Sequence, residues 1–255
     1  MRTLTIQRVN SKWAKTLVLL KSDYLRQYIP LTKLFSRETV FQMLNEYGMI
    51  YVKPINGTFG KGVIRVERTI ASNRSYKYQQ GTDIHYYASF GDLYNMLLRQ
   101  KKNRKYIVQK GIHLLRHQKR RFDIRVMVQK NLHGEWEATG IIGRLAHPAK
   151  IVTNYHSGGT PLPIDTLMSD HASSHELAIY KNRLQKLSIT IASQLAAAYP
   201  NLKEIGVDIA IDHKLHPWIL EVNTRPDLQI FRKLSDQNVF HKMYRYAIAY
   251  GRYKR

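Results

Sequence analysis

Two short apolar segments near the end of the chain each deliver an acidic residue. Asp208 lies in GVDI (residues 206–209), and Glu221 and Asn223 lie in LEVN (residues 220–223). Alternate side chains of a β-strand share a face, so Glu221 and Asn223 point the same way, and Asp208 joins them if the strands pair. Carboxylate and amide oxygens bind hard cations such as Mg²⁺, which in turn bind phosphates. The pattern predicts a divalent-metal site or, alternatively, two buried strands that end in acids.

The rest of the chain predicts alternating helices and strands. Helices are predicted over residues 36–47 and 174–199, and from Leu228 onward as a basic amphipathic tail. Strands are predicted over residues 50–52, 63–66, 84–88, 106–108, 122–128 and 136–145. The polar residues 72–82 predict a hairpin loop.

A second informative segment, YVKPINGTFGKGV (residues 51–63), joins two predicted strands through a glycine-rich loop. Glycines let backbone N–H groups close around an anion, and Lys53 adds a compact positive charge at the base of the loop. A strand follows the loop where a Walker loop has a helix, so this is not a Walker sequence. The segment predicts a phosphate-binding loop, with a plain glycine-rich hairpin as the alternative.

Composition limits the classes of protein to which the chain can belong. Its 255 residues suffice for one domain or two tightly joined lobes, and the absence of cysteine excludes disulfides, thiolate catalysis and cysteine-based zinc sites. No apolar run is long enough to span a bilayer, and the N-terminus has no signal-peptide pattern. We therefore expect a cytoplasmic protein with no membrane partner.

The chain is strongly basic. Lysine and arginine number 41 against 18 acidic residues, which gives a net charge of +23. Such a field attracts polyanions and acidic partners, although a solvated basic surface with no dedicated partner is the alternative. No zinc-finger, RNA-recognition or helix-turn-helix signature is present, so we do not expect specific binding of nucleic acid.

Five ordered motifs resemble the ATP-grasp superfamily, in its glutathione synthetase and RimK-like branch. After the glycine-rich segment come VQKGI (108–112), FDIRVMVQK (122–130), VTNYHSGG (152–159) and ILEVNTRPDL (219–228). More narrowly, the motifs are similar to the YheC/YheD family, which is named for association with bacterial endospore coats. The resemblance implies an α+β, ATP-grasp fold in which two α+β lobes enclose a nucleotide cleft.

The resemblance also implies binding roles for individual residues. Asp208, Glu221 and Asn223 would hold Mg²⁺, or Mn²⁺, on the phosphates of ATP. Lys53 would bind phosphates, and Asn154 would join from the other lobe. The remaining nucleotide contacts would be Gly57, Thr58, Phe59, Gly60, Lys61 and Gly62 in the loop, and Gln109, Lys110 and Ile112 in the linker that meets adenine.

Three arginines resemble catalytic groups of related ligases. Arg125 and Arg144 would face the γ-phosphate and the substrate carboxylate, and Arg225 would contact the acyl-phosphate or the substrate. The alternative for Arg125 and Arg144 is a strand arginine paired with an acid. Catalysis would rest on positioning and charge stabilisation, with no covalent bond between protein and substrate.

The chain departs from the family pattern in its N-terminal part. ATP-grasp ligases usually begin with a separate α/β domain, whereas only 52 residues precede Lys53, so we expect that domain to be reduced or absent. The expected domains are an N-terminal remnant (1–34), a small lobe with the glycine-rich loop (35–112), a large lobe with the metal site (113–230) and a basic C-terminal helix (231–255). A homo-oligomer or a partner subunit would then supply the missing surface.

The implied function is a Mg-ATP-dependent carboxylate–amine ligase that forms a peptide-type amide through an acyl-phosphate. The positive charge suits an acidic peptide, a carrier protein or an acidic metabolite as the substrate. Two alternatives stay open. One is a phosphotransferase on the same scaffold, and the other is an ATP-binding spore-coat or interaction protein.

Overall fold

The structure is a computed structural model that describes residues 6–70 and 74–253. Parts of the predicted N-terminal remnant, polar loop and C-terminal helix lie outside the described residues. The α-helices are α1 (Lys12–Leu20), α2 (Asp23–Arg26), α3 (Arg37–Tyr47), α4 (Phe90–Lys101), α5 (Ile164–Met168), α6 (Ser174–Ala198) and α7 (Gln237–Ala249). The strands are β1 (Thr32–Leu34), β2 (Met49–Pro54), β3 (Ile64–Arg68), β4 (Tyr76–Gln80), β5 (Asp83–Tyr87), β6 (Tyr106–Lys110), β7 (Arg116–His117), β8 (Arg120–Lys130), β9 (Trp136–Leu145), β10 (Thr160–Leu162), β11 (Glu204–Ile211) and β12 (Pro217–Asn223). Short 3₁₀ helices lie at Tyr155–Ser157 and Gln229–Lys233.

The described residues form two compact units. The larger unit holds residues 6–29, 114–145 and 160–253, and the smaller unit holds residues 30–113 and 146–159. These limits differ from the predicted domains, because residues 6–29 belong to the larger unit and residues 146–159 to the smaller one. The division into the four expected domains stays a prediction.

The smaller unit is an antiparallel sheet with two helices packed on it. The strand order is β1-β6-β2-β3-β4-β5, and side chains of α3 and α4 share one core with the sheet, including Val40, Leu93 and Val108. Helix α3 confirms its prediction. The Ser36 hydroxyl accepts a hydrogen bond from the backbone N–H of Thr39, and Gly48 ends the helix in the left-handed conformation.

The larger unit is a second antiparallel sheet, of order β10-β9-β8-β11-β12, with β7 paired to β8. Strand alternation divides its residues between two faces. Val126 and Val207 face the core that includes Leu187 of α6, whereas Met127 packs in a separate cluster with Phe231 and other residues of the C-terminal segment. The charged residues of the candidate site share the face of Met127.

Two expectations about secondary structure need correction. The segment predicted as a loop over residues 72–82 contains β4, because the aromatic ring of Tyr78 is buried in the core and overrides the polar composition. The C-terminal tail is not one helix, since Asp236 interrupts it and caps α7. The N-terminal segment contains α1, which the sequence did not predict.

The observed elements confirm the α+β class. Both sheets are antiparallel, and helices pack on each of them. None of the helices in the described part of the chain is both long and apolar enough to cross a lipid bilayer.

Candidate active site

Strand pairing in the larger unit gathers the three predicted metal residues, Arg125 and Arg144 on one face of the sheet. β11 lies between β8 and β12, so Asp208 is opposite Arg125 on one side and opposite Glu221 on the other. On the outer side of β8, Asp123 is opposite Arg144 of β9. Asp123 and Arg125 are two residues apart and therefore share the face.

Four of these residues form a buried chain of ion pairs. Arg144 donates two hydrogen bonds to Asp123, from Nε to Oδ1 at 2.8 Å and from Nη2 to Oδ2 at 2.5 Å. The same Nη2 lies 3.0 Å from Asp208 Oδ2, and Arg125 Nε donates to Asp208 Oδ1. Each strand arginine is thus paired with an acid.

The ion pairs set the charge state of Asp208. Burial raises the pKa of its carboxyl group, but the guanidinium groups of Arg125 and Arg144 outweigh burial and hold that pKa below its usual range. Asp208 is therefore an anion near neutral pH, compensated by two cations.

The three predicted metal ligands adjoin one another. With the Asn223 amide oriented to satisfy both neighbours, its Nδ2 donates to Glu221 Oε1 at 3.3 Å and its Oδ1 accepts from Arg125 Nη2 at 3.1 Å. The end of the amide that carries Oδ1 in this orientation lies 3.4 Å from Asp208 Oδ2. Two carboxylates and an amide oxygen are a donor set that suits a hard divalent cation.

The three donors differ in how exposed they are. Asp208 is buried and is held by two arginines, whereas Glu221 and Asn223 are half-buried. A carboxylate offers about four lone-pair positions, so Asp208 retains acceptor capacity beside its arginines. Within residues 6–70 and 74–253, no group of three or more His, Asp or Glu residues could hold a metal. A cation here would therefore need the Asn223 oxygen and oxygens of a ligand.

Sequence reasoning missed three charged residues at this site. Lys12 of α1 places its Nζ 3.3 Å from Glu221 Oε1, and Lys15 lies one turn further along the same helix. Burial lowers the pKa of Lys15 to about 8. The positive charge of Lys12 also lowers this pKa, and the Glu221 carboxylate raises it in part. Asp123 stood in the FDIR motif but received no role. The three-residue spacing of the lysines in a short apolar helix was the available signal.

In the smaller unit, Lys53 contacts another predicted nucleotide residue. Its Nζ donates to Gln109 Oε1 at 2.5 Å, and Gln109 Nε2 donates to Thr32 Oγ1 at 3.1 Å. Gln109 is buried and Lys53 is half-buried. Pairing of β2 with β6 brings these residues, 56 positions apart, onto one surface.

The glycine-rich loop lies against the loop that carries Asn154. Ser157 Oγ donates to the carbonyl of Phe59 at 2.9 Å, and a side chain placed on Gly60 would meet Asn154 Oδ1 at 3.1 Å. Phe59 and Gly60 both have positive φ, at 58° and 72°. Asn154 was expected to join from the other lobe. It belongs instead to the unit that holds the glycine-rich loop, because hydrogen bonds such as that from Gln79 to the Ala149 carbonyl (3.0 Å) hold residues 146–159 there.

The other predicted residues are placed as follows. The loop residues Gly57, Thr58, Phe59 and Lys61 are exposed, and Gly60 and Gly62 are half-buried. In the linker, the Lys110 backbone N–H donates to the Leu31 carbonyl at 2.8 Å, and Ile112 is buried. Arg225 is exposed and directly follows the buried Thr224.

Comparison with known proteins places this geometry in context. The family of YheC/D-like ATP-grasp proteins matches residues 3–253. Endospore coat-associated protein YheD of Bacillus subtilis (strain 168) is 26% identical over 239 residues, which cover 91% of this chain and 51% of YheD. Endospore coat-associated protein YheC of the same strain is 24% identical over 231 residues, which cover 89% of this chain and 62% of YheC. The chain thus spans between half and two thirds of the length of these two relatives.

Among solved structures, the chain is similar to the D-cycloserine synthetase DcsG. The TM-score is 0.57 at 13% identity, and the match covers 94% of this chain and 69% of DcsG. This likeness concerns the fold.

Proposed function

The chain belongs to the YheC/D-like ATP-grasp family, and we propose that it is a Mg-ATP-dependent ligase that joins a carboxylate to an amine through an acyl-phosphate. The observation that carries the proposal is the convergence of Asp208, Glu221 and Asn223 on one face of the larger unit. The proposed substrate is an acidic peptide, a carrier protein or an acidic metabolite, and the names of YheD and YheC favour a spore-associated setting.

The charge balance of the larger unit supports an anionic ligand at this face. Three carboxylates are accompanied there by four cations, and all seven are buried or half-buried. The carboxylates are Asp123, Asp208 and Glu221, and the cations are Lys12, Lys15, Arg125 and Arg144. A bound divalent cation would increase the positive excess and would neutralise the phosphates of ATP during phosphoryl transfer. Such a field favours nucleotide phosphates and a substrate carboxylate.

The ion pairs redefine the proposed role of Arg125 and Arg144. Both guanidinium groups are committed to buried carboxylates, so we assign them the task of holding Asp208 ionised and oriented. Arg225 is exposed and follows the metal residues, so it is the arginine that we propose to meet the acyl-phosphate or the substrate carboxylate.

The smaller unit supports the nucleotide half of the proposal. Lys53, oriented by Gln109, offers an ammonium group for the phosphates, and the exposed glycine-rich loop offers backbone N–H groups beside Asn154. We propose that these groups bind the α- and β-phosphates of ATP. The half-buried Lys110 and the buried Ile112 would contact adenine.

The proposal is tested by measuring ADP release with Mg-ATP against panels of carboxylates and amines. A ligase requires both substrates and yields an amide, whereas ADP release with a phosphorylated acceptor and no amine would identify a phosphotransferase. Absence of Mg-ATP binding by calorimetry would overturn both and favour a coat or interaction role. The variant Glu221→Gln should lose at least about 100-fold in turnover, because the site loses a charged metal ligand. The exposed Glu38→Gln serves as the matched control.

A further inference from the structure

A fully buried carboxylate lies at the start of β11, four residues before Asp208. Glu204 is 0% exposed and accepts three hydrogen bonds. Arg8 Nη1 donates to Oε1 at 2.7 Å, while Arg252 Nη1 and the Tyr250 hydroxyl donate to Oε2 at 2.6 Å and 2.7 Å. Burial of a carboxylate is costly unless it is paired and hydrogen-bonded, and Glu204 meets both conditions.

Both arginines also bind the backbone of the loop that follows the metal residues. Arg252 Nη2 donates to the Pro226 carbonyl at 2.8 Å, and Arg8 Nη1 donates to the Thr224 carbonyl. The Thr224 hydroxyl also accepts from the backbone N–H of Val9 at 2.8 Å. The carbonyl groups on the two sides of Arg225 are therefore held by two guanidinium groups that share one carboxylate.

Strand β11 packs closely against the same loop. A Cβ atom on Gly206 would lie 2.8 Å from Pro226 Cβ and 3.2 Å from Arg125 Cδ, so glycine permits both neighbours to approach the strand closely. Gly206 is also opposite Asn223 in the strand register. The loop is thus packed against the strand that carries Asp208.

We propose that Glu204, Arg8 and Arg252 are positioning residues that form a clamp on the backbone of Arg225. This inference rests on the proposed function, in which Arg225 meets the substrate. The Arg225 side chain is exposed, so its aim depends on how firmly its backbone is held. Arg8 and Arg252 are 196 and 48 positions from Glu204, so segments near both ends of this chain contribute to the clamp.

The clamp is tested first without any substrate, by hydrogen–deuterium exchange of peptides covering residues 222–228. Arg252→Met should speed exchange there at least about 10-fold, because a tenfold change corresponds to about 1.4 kcal/mol, slightly less than the roughly 1.5–3 kcal/mol of a hydrogen bond to a charged group. Arg252→Lys keeps a positive charge near Glu204 but lacks the planar fork, so it should fold and show a smaller increase. Tyr250→Phe is the matched control, since the Tyr250 hydroxyl donates to the same Glu204 oxygen and accepts its other hydrogen bond from Gln129, which lies outside the loop.

Exchange that is unchanged in both Arg252 variants, or raised equally by Tyr250→Phe, would overturn the clamp.

The positioning role is then tested with substrates. Arg252→Met should raise KM for the carboxylate about 10-fold and leave the affinity for Mg-ATP within about twofold, and adding it to Arg225→Ala should cause no further loss. Fully additive losses would overturn the positioning role. Because exchange is measured without nucleotide, the exchange result still tests the clamp if the ligase proposal fails.

Discussion

The substitution Asp123→Asn tests the buried ion-pair chain while hardly changing side-chain size. Asp123 is 1% exposed and accepts both of its hydrogen bonds from Arg144. Removing one partner of a buried ion pair costs about 3–5 kcal/mol, because the other charge stays buried. Arg144 retains Asp208 at 3.0 Å, so we expect the lower end, about 3 kcal/mol. For a protein of this size that lowers Tm by about 6–12 °C.

The assay is urea unfolding followed by tryptophan fluorescence. Trp13, Trp136 and Trp218 all lie in the larger unit, so the signal reports the unit that contains Asp123. The control is Asp165→Asn. Asp165 is also in the larger unit and has both carboxylate oxygens 2.7 Å from Lys181 Nζ, but its side chain is 64% exposed. An exposed pair contributes about 0–1 kcal/mol, so the control should change stability by less than about 1 kcal/mol.

Equal losses in Asp123→Asn and Asp165→Asn would contradict this prediction, because the expected contrast rests on the burial of the Asp123 pair. A double variant provides a second check. Asp123→Asn combined with Arg144→Met should cost less than the two single losses together, since it leaves no guanidinium without its bidentate partner.

Two further predictions concern Lys15 and the glycine-rich loop. The pKa of Lys15 falls from its ordinary 10.5 to about 8, so the unfolded state binds more protons between these values and stability rises with pH there. Lys15→Met lacks this titration, so the unfolding free energy of the wild type should rise by about 3 kcal/mol relative to the variant between about pH 7 and pH 10.5. A stability difference between the two proteins that does not change with pH would contradict the prediction. Gly60→Ala should destabilise by about 1–2 kcal/mol in thermal unfolding and weaken nucleotide binding, because its φ is positive and its Cβ would press on Asn154. Gly81→Ala, with positive φ but open space, should cost less, and an equal cost would show that contact with Asn154 is unimportant.

Local signals predicted much of the secondary structure and the nucleus of the site. Helix α3 was recognisable from the capping side chain of Ser36 and the left-handed Gly48, since both act within one helical turn. The common face of Glu221 and Asn223 follows from the two-residue repeat of a strand, and it needed only the pairing of β11 with β12 to include Asp208. The five ordered motifs identified the family.

Other features depended on contacts between residues far apart in the chain. Strand β4 was hidden because a polar segment becomes a strand when one tyrosine is buried against partners elsewhere. The commitment of Arg125 and Arg144 to buried acids required the register of three strands, and no periodicity within one strand reveals a neighbour's register.

The chain's local patterns thus established which residues could bind a metal and phosphates, because helix caps, glycine loops and strand alternation operate over a few residues. Folding established what surrounds them. Lys12 beside Glu221, Asn154 beside Gly60, and Glu204 linking Arg8 to Arg252 are pairings between distant segments. For the charged pairings burial makes a partner obligatory, since a charge removed from water must find one, but the sequence does not record which partner the fold will bring.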